Sequence, residues 1–531
     1  MLGLAARFYL LFHIPLISKD GFLYIQQAKA LHYGLLNALT SCAVYLSPYP
    51  ILVALSFNIF GDWVIGAQMV SLFFGAMTLL PIYWLSRRFF DETISSLAVL
   101  CFALIPPFVL VSRDALRDPV YWFFSMMGLY LFVLYIEKRR NLFPLLSSIC
   151  FAVAAWTRVE ATLFILISVL YLLLTQHEHK WKHLLFFLLP FVLLALLATI
   201  YQAFSSIDIL ALLNPKRLTR RVLEVFSSYE KLRQNLKEIE DQRLFEFSSY
   251  FFPRVRNLVW LIALGVLAVQ VVETLFYIFF VILSIGIATS WRRVSKDSRL
   301  IYLSVLSISA LIALYAQIIY NWSMTSRFTV LFLFPAFVFM GAGIEAIAAF
   351  LGKRFNFKRS VGYAVVCLVV LLVALPKTLR ATYVKDKLIF GEVGRFIAKR
   401  ENDNRAVSVA SAFQGVQSVH FYANLNYPGA PCFDVDAILW QPDAAALQFV
   451  RERGYHYFIW DEKGWNGRGL DEFIEDPDRA FSKIREWRSS TRGRMILYAV
   501  RSREPDRPGL DRSNPLRWHH STVLDDAEWH F

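Results

Sequence analysis

Five charged residues sit where an apolar chain has least use for them. Asp20 opens the stretch SKDGFLYIQQAKAL, directly after the first apolar run, and Asp118 precedes Pro119 in LVSRDALRDPVYWFF. Arg113 shares that second stretch, Arg158 lies in AAWTRVEATLF, and Arg327 lies in MTSRFTVLFLFPAF. Carboxylates can accept protons, and guanidinium forks can hold oxyanions. Each residue also has a plain structural reading. An acid in a first helical turn complements the helix dipole, and an acid before proline can cap a helix. An arginine at a membrane boundary can snorkel. If a helix begins at Ser18, then Asp20, Tyr24, Gln27 and Leu31 share one of its sides. Arg158 and Glu160 are two apart, so they do not pair on one helix face, and a tight turn is their alternative role. Arg113 and Asp114 are placed to pair locally across their loop.

The elements that must position these residues are membrane helices. The chain has 531 residues, 57% of them hydrophobic and only 18% charged, with a mean hydropathy of +0.46. That composition excludes an ordinary soluble core and fits a polytopic α-helical membrane protein. The net charge of +14 does not indicate nucleic acid, because most short basic clusters punctuate apolar segments. No P-loop, zinc spacing or glycine-rich dinucleotide motif is present. Five cysteines are scattered, and Cys101, Cys150 and Cys367 lie inside apolar runs, so no disulfide framework is expected.

Met1 to Ile17 has no small-x-small cleavage site and reads as a retained anchor. With it, apolar runs at 64–86, 93–111, 119–136, 142–157, 159–175, 184–203, 272–290, 300–320, 328–350 and 361–376 make about eleven spans. The apolar stretch 258–289 is too long for one crossing, so 258–271 is assigned to the interface, with Glu273 at the break. The exits SRRFFDE, EKRRN, QHEHKWKH, SWRRVSKDSR and GKRFNFKR carry 15 Lys and Arg in 38 residues, and the opposite short loops carry six. The positive-inside rule therefore places the first set in the cytoplasm and the C-terminus outside. The basic segment 204–257 falls on the external side and reads as an amphipathic surface helix.

Three regions follow: 1–376 as the transmembrane domain, 377–500 as an extracytoplasmic α/β domain, and 501–531 as a disordered tail. The middle region alternates helical VGRFIAKREN and DAAALQFVRERG with the β-rich runs AVSVAS, YHYFIW and MILYAV. The tail, SREPDRPGLDRSNPLRWHH, is charged and proline-rich.

The polar stretches come in a recognisable order. An acid follows the first span, then a Pro-x-Pro stretch (YLSPYPILVALSFNIFGD), then ALRDPVYWFF, WTRVEATLF and SRFTVLFLFPAFVFMGAG. This order, over about residues 1–376, resembles the C-type glycosyltransferases that use polyprenyl-phosphate sugars, the protein O-mannosyltransferases and aminoarabinose transferases among them. The resemblance implies a catalytic role for Asp20, as base, and for Asp118, and phosphate contact by Arg327. Tyr24, Arg158 and Arg113 join the expected substrate-binding set. Many members carry two adjacent acids where this chain has Asp20 and Gly21, and some carry a lysine where it has Leu46 and Ser47.

The expected activity is sugar transfer from a polyprenyl-phosphate donor to an acceptor hydroxyl outside the cytoplasm, with inversion. A single carboxylate acting in one displacement would invert the anomeric centre. The acceptor is left open between glycan, lipid and protein, and the cofactor is left open too, a divalent metal included; no nucleic-acid partner is expected. The setting implied is a bacterial or archaeal plasma membrane. The rival class, a transporter or lipid flippase, would need mid-membrane ionisable residues and repeat symmetry. Here the polar residues gather at span ends.

Overall fold

The structure, a computed structural model, describes residues 2–13, 16–35, 39, 45–175, 179–204, 215–242, 248–380, 385–439, 444–465, 480–489 and 492–501. The expected tail lies outside these residues, Arg501 excepted. The chain divides into two compact units. The first comprises Met1–His13, Ser47–Tyr49 and Gln68–Ala381; the second comprises Ile14–Leu46, Pro50–Ala67 and Thr382–Phe531.

Helices come first in chain order: α1 (Leu2–His13), α2 (Lys19–His32), α3 (Pro48–Phe60), α4 (Trp63–Met77), α5 (Leu79–Ser86), α6 (Glu92–Leu104) and α7 (Pro106–Arg113). There follow α8 (Asp118–Lys138), α9 (Leu142–Thr157), α10 (Thr162–Leu174), α11 (Lys180–Phe204), α12 (Pro215–Asp241) and α13 (Ser248–Val294). The apolar series closes with α14 (Ser298–Asn321), α15 (Val330–Phe355) and α16 (Arg359–Leu379). Among the described residues seven helical segments, α4 and α5 counted together as one, are long and apolar enough to cross a membrane, or eight if α6 and α7, bent by 64°, form one span. Each of the eleven expected apolar runs is helical over most of its described residues, but α1, α9 and α10 fall short of a full crossing by length. Residues 215–241 of the expected amphipathic segment are helical as α12. The long run after Ser248 is continuous helix except at Phe276 (φ 54°, ψ 123°), three residues beyond Glu273, where the sequence places a break.

In the first unit α15 is the most enclosed element, with Val330 to Ile344 buried without interruption. Its closest neighbour is α13. A Cβ on Gly286 would lie 1.7 Å from the Phe339 carbonyl oxygen, and one on Gly343 would lie 1.9 Å from that of Ile282. Only glycine allows this approach, the usual device where helices in lipid gain contact by close packing. Helix α8 packs on α9, where Ser147 donates to the Gly128 carbonyl at 2.8 Å and Phe151 fills the space above Gly128.

The second unit contains a four-stranded sheet, β1 (Val409–Ser411), β2 (Tyr457–Asp461), β3 (Phe481–Ser489) and β4 (Gly493–Val500), in the order β1-β2-β4-β3. β1 pairs parallel with β2, while β4 runs antiparallel to β2 and β3, with Ile459 opposite Leu497 and Glu486 opposite Ile496. Helices α17 (Lys385–Glu401), α18 (Val416–Ala423) and α19 (Ala444–Glu452) complete its core. Helix α2, eighteen residues from the chain start, belongs to this unit as well: Phe22 stacks on Phe421 with ring centres 4.3 Å apart.

Candidate functional site

In the first unit Asp118 is the first helical residue of α8, and Arg117, not Asp118, is the cap. The Asp118 carboxylate is therefore not spent on capping. It is 1% exposed, and its oxygens face two arginines: Oδ1 accepts from Arg158 Nη1, and Oδ2 lies 3.7 Å from Arg327 Nη1. Arg158 is 6% exposed and Arg327 18%. The Arg158 guanidinium also donates through Nη2 to Glu160 Oε1 at 3.0 Å and through Nε to Glu160 Oε2 at 3.3 Å.

That pairing of Arg158 and Glu160 runs against the helix-face argument, for a local reason. Helix α9 ends at Thr157, Arg158 is extended (φ −146°, ψ 125°), and a 3-10 turn spans Val159–Ala161. The break turns both side chains to one side. Arg158 is held further by the Phe328 ring, 4.6 Å from its guanidinium carbon, and by Tyr121 at 5.9 Å. Asp118, Arg158 and Arg327, far apart in sequence, are thus brought together. Glu160 and Phe328 complete the group. Phe328 adjoins Arg327 in sequence, which is the only signal it gave. Arg113 is buried at the end of α7, and Asp114 Oδ1 accepts the Ala115 N–H at 2.7 Å.

Asp20 and Tyr24 lie in the second unit, half-buried on α2, with Asp20 in the first turn and Ser18 extended at the cap position. Gln27, on the same side, donates to the Tyr45 carbonyl at 3.1 Å and to that of Leu39 at 3.3 Å. The opposite side of α2 anchors the helix. Lys29 is 2% exposed and donates through Nζ to the carbonyls of Asn424 (2.8 Å) and Leu425 (2.9 Å), while Gln26 donates to that of Pro431 at 2.7 Å. Burial pushes the Lys29 ammonium down to about 7, partly offset by Asp403. The signal for this anchor was present as a lysine on the Phe22–Gln26 face. Burial also lowers His420 to about 4. Cys432 is disulfide-bonded, a single bridge that the scattered cysteine spacing did not signal; Cys101, Cys150 and Cys367 are free thiols in the apolar helices. Among the described residues no group of three or more His, Cys, Asp or Glu is placed to hold a metal ion.

The fold of the chain is similar to that of known C-type membrane glycosyltransferases. The dolichyl-phosphate-mannose-protein mannosyltransferase family matches residues 48–201, a stretch that contains Asp118 and Arg158. Among solved structures the chain is similar to ArnT from Cupriavidus metallidurans bound to undecaprenyl phosphate, with 12% identity, a TM-score of 0.55 and coverage of 94% of this chain and 96% of that one. It is also similar to the apo oligosaccharyltransferase of Archaeoglobus fulgidus, with 13% identity, a TM-score of 0.53 and coverage of 93% and 71%. No curated protein matches the chain in sequence. The resemblance read from the order of the polar stretches is borne out.

Proposed function

We propose that the chain is an integral-membrane glycosyltransferase that moves a sugar from a polyprenyl-phosphate donor to a hydroxyl of an extracytoplasmic acceptor, with inversion. The observation that carries this reading is the unequal burial of the two arginines on Asp118. Arg158 is enclosed by two carboxylates and two rings, so its charge is already matched and its place is fixed. Arg327 is the more exposed, and it stands at a looser 3.7 Å. It is the guanidinium of the two with more access to solvent. A departing polyprenyl phosphate needs such a partner, because charge grows on its oxygen as the bond to the anomeric carbon breaks.

Asp118 then acts as a positioning residue that sets Arg327 through its carboxylate. The base is Asp20. It takes the proton of the acceptor hydroxyl as that oxygen attacks the anomeric carbon, and the bonding electrons leave with the phosphate. A phosphate leaving group requires little protonation, so one carboxylate suffices. Tyr24, one turn further along α2, is assigned to substrate contact. The disulfide at Cys432 supports an oxidising, extracytoplasmic setting for the second unit.

The test pairs turnover with stability in Asp20→Asn, a change that keeps shape and removes the base. Release of polyprenyl phosphate from a labelled polyprenyl-phosphate sugar is expected to fall about 10²–10⁴-fold. Unfolding should shift by no more than about 1 kcal/mol. Near-normal release by the variant would remove Asp20 from the mechanism. Absence of release by the unaltered protein, across several sugars and acceptors, would overturn the glycosyltransferase reading.

A further inference from the structure

A second polar centre lies at the far end of α8 from Asp118. Glu137 is nineteen residues along that helix, about 28 Å at 1.5 Å per residue, close to the hydrocarbon thickness of a bilayer. Beside it the first unit has a half-open cavity of about 460 Å³. Arg88, Arg292, Arg293, Lys296 and Arg299 line it, with Asp297 as the acid of its wall. Four of these are partnered to carboxylates or are carboxylates themselves. Arg299 meets Glu137 and Asp297 at 2.6 Å each, Arg88 is ion-paired with Glu137, and Arg293 lies 3.6 Å from Glu345. Among the described residues no carboxylate pairs with Arg292 or Lys296. The cavity therefore keeps two cations beyond what its own acids neutralise.

The remaining wall is apolar and belongs to membrane helices. Val338, Phe339 and Ala342 of α15 and Leu300 of α14 are all under 9% exposed, and Phe89 lies under the Arg299 guanidinium at 4.6 Å. Ser290, 4% exposed, comes one turn after Gly286, so the cavity begins where the tight α13–α15 seam ends. A surplus of cations above a greasy seam fits an amphiphile with a phosphate at its polar end better than it fits a free solute. We infer that this cavity binds a phosphate-bearing anion, supplied by the headgroup of an acidic phospholipid. Basic pockets between membrane helices take such headgroups by this combination of charge and apolar contact. The site is separate from the Asp118 group and does not depend on the sugar-transfer reading.

The test is thermal unfolding of the purified full chain in a neutral detergent, titrated with short-chain phosphatidylglycerol, phosphatidylcholine of the same chains, or inorganic phosphate. Phosphatidylglycerol should raise the Tm saturably and phosphatidylcholine should not. The pair Arg292→Gln with Lys296→Gln should unfold at the unaltered temperature without lipid and bind phosphatidylglycerol about thirtyfold more weakly. The charge-conserving pair Arg292→Lys with Lys296→Arg should retain most of the affinity. An equal response to phosphatidylcholine, or full phosphatidylglycerol binding in the Gln pair, would overturn the proposal. Inorganic phosphate reproducing the whole shift would overturn the lipid source and leave a soluble phosphate in its place.

Discussion

The two ends of α8 carry ion clusters of the same ingredients in different solvents. At one end Asp118 and Arg158 are 1% and 6% exposed, and a second arginine completes the group. At the other end Glu137 is 14% exposed and its partners Arg88 and Arg299 are 37% and 26% exposed. Each cluster sets one acid of α8 against two arginines from other elements. Burial makes the first a unit that cannot lose one member without stranding a charge, because water cannot reach what remains. The second can lose a member and let solvent answer for it. The buried cluster suits a geometry that must not move. The open one suits a place where charge is left available to something outside the chain.

The comparison breaks most readily at Asp118. Asp118→Ala leaves Arg158 buried with Glu160 as its only carboxylate partner and takes from Arg327 the carboxylate at 3.7 Å, and should destabilise the protein by about 3–5 kcal/mol. The triple change Asp118→Leu, Arg158→Met and Glu160→Gln removes the three mutually paired charges and should recover most of that loss, yet it should not recover donor turnover if Asp118 positions Arg327. Thermal unfolding together with polyprenyl-phosphate release separates the two effects. A loss under about 1 kcal/mol for Asp118→Ala would place the buried end in the same class as the open one.

Where burial outweighs a nearby acid the neutral form wins, and the second unit supplies that control at His420, whose burial Asp434 only partly offsets. Buried His420, held down to about 4, binds its proton in the unfolded chain near 6.5 but not in the folded one. The unfolded state therefore takes up more protons between about 4 and 6.5, and stability falls as pH drops through that window. The loss should approach about 3 kcal/mol at the acid end. Unfolding of the sheet-containing unit, followed by tryptophan fluorescence from pH 7 to 4, should show it, and His420→Phe should flatten that part of the profile. An unchanged profile in the variant would assign the acid sensitivity to other groups.

Much of this was legible, and the omissions have physical causes. Apolar runs such as 119–136 and 328–350 read directly as helices because a bilayer leaves the backbone no other way to satisfy its hydrogen bonds. β2 and β4 read as strands for their β-branched and aromatic content. β3 did not: FSKIREWRS is an edge strand whose charges, Lys483 to Glu486 and Glu486 to Arg494 among them, face outward and mask its alternation. The Arg158–Glu160 pair was hidden because it depends on where α9 stops. Asp118, Arg158 and Arg327 each stood out as misplaced charge, but their meeting is tertiary. The basic exits SRRFFDE and SWRRVSKDSR were read as topology signals, and only folding shows that they line one cavity.

Arg327 gives a smaller and more specific effect than Asp118. As the member of the buried cluster with most access to solvent it should contribute less to stability than Asp118 does, and Arg327→Ala should weaken donor use about 10–100-fold, the range for a lost charge-assisted contact. Arg327→Lys should recover only part, because an ammonium lacks the two-pronged geometry. Steady-state kinetics with varied donor will show whether the loss falls on donor KM. Arg88→Ala, at the other end of α8, should leave donor kinetics as they are. Equal losses for the two alanine variants would mean that the ends are not functionally distinct.

The smallest expected effect is at Glu137, where the open end is tested on its own terms. Glu137→Gln removes the acid shared by Arg88 and Arg299, but Arg299 keeps Asp297 at 2.6 Å and Arg88 is already more than a third exposed. Loss of such partly exposed pairs is worth about 0.2–1 kcal/mol each, and the loss should shrink further as salt is raised, since these charges lie within reach of mobile ions. The same change adds one positive charge to the cavity beside it. Phosphatidylglycerol should therefore bind a few-fold more tightly to Glu137→Gln than to the unaltered chain, about what one added cation near an anionic headgroup supplies. A stability loss as large as that of Asp118→Ala would show that Glu137 is a structural ion in disguise. Weaker lipid binding would show that Glu137 orders the two arginines for the headgroup, and that pre-organisation outweighs net charge at this end.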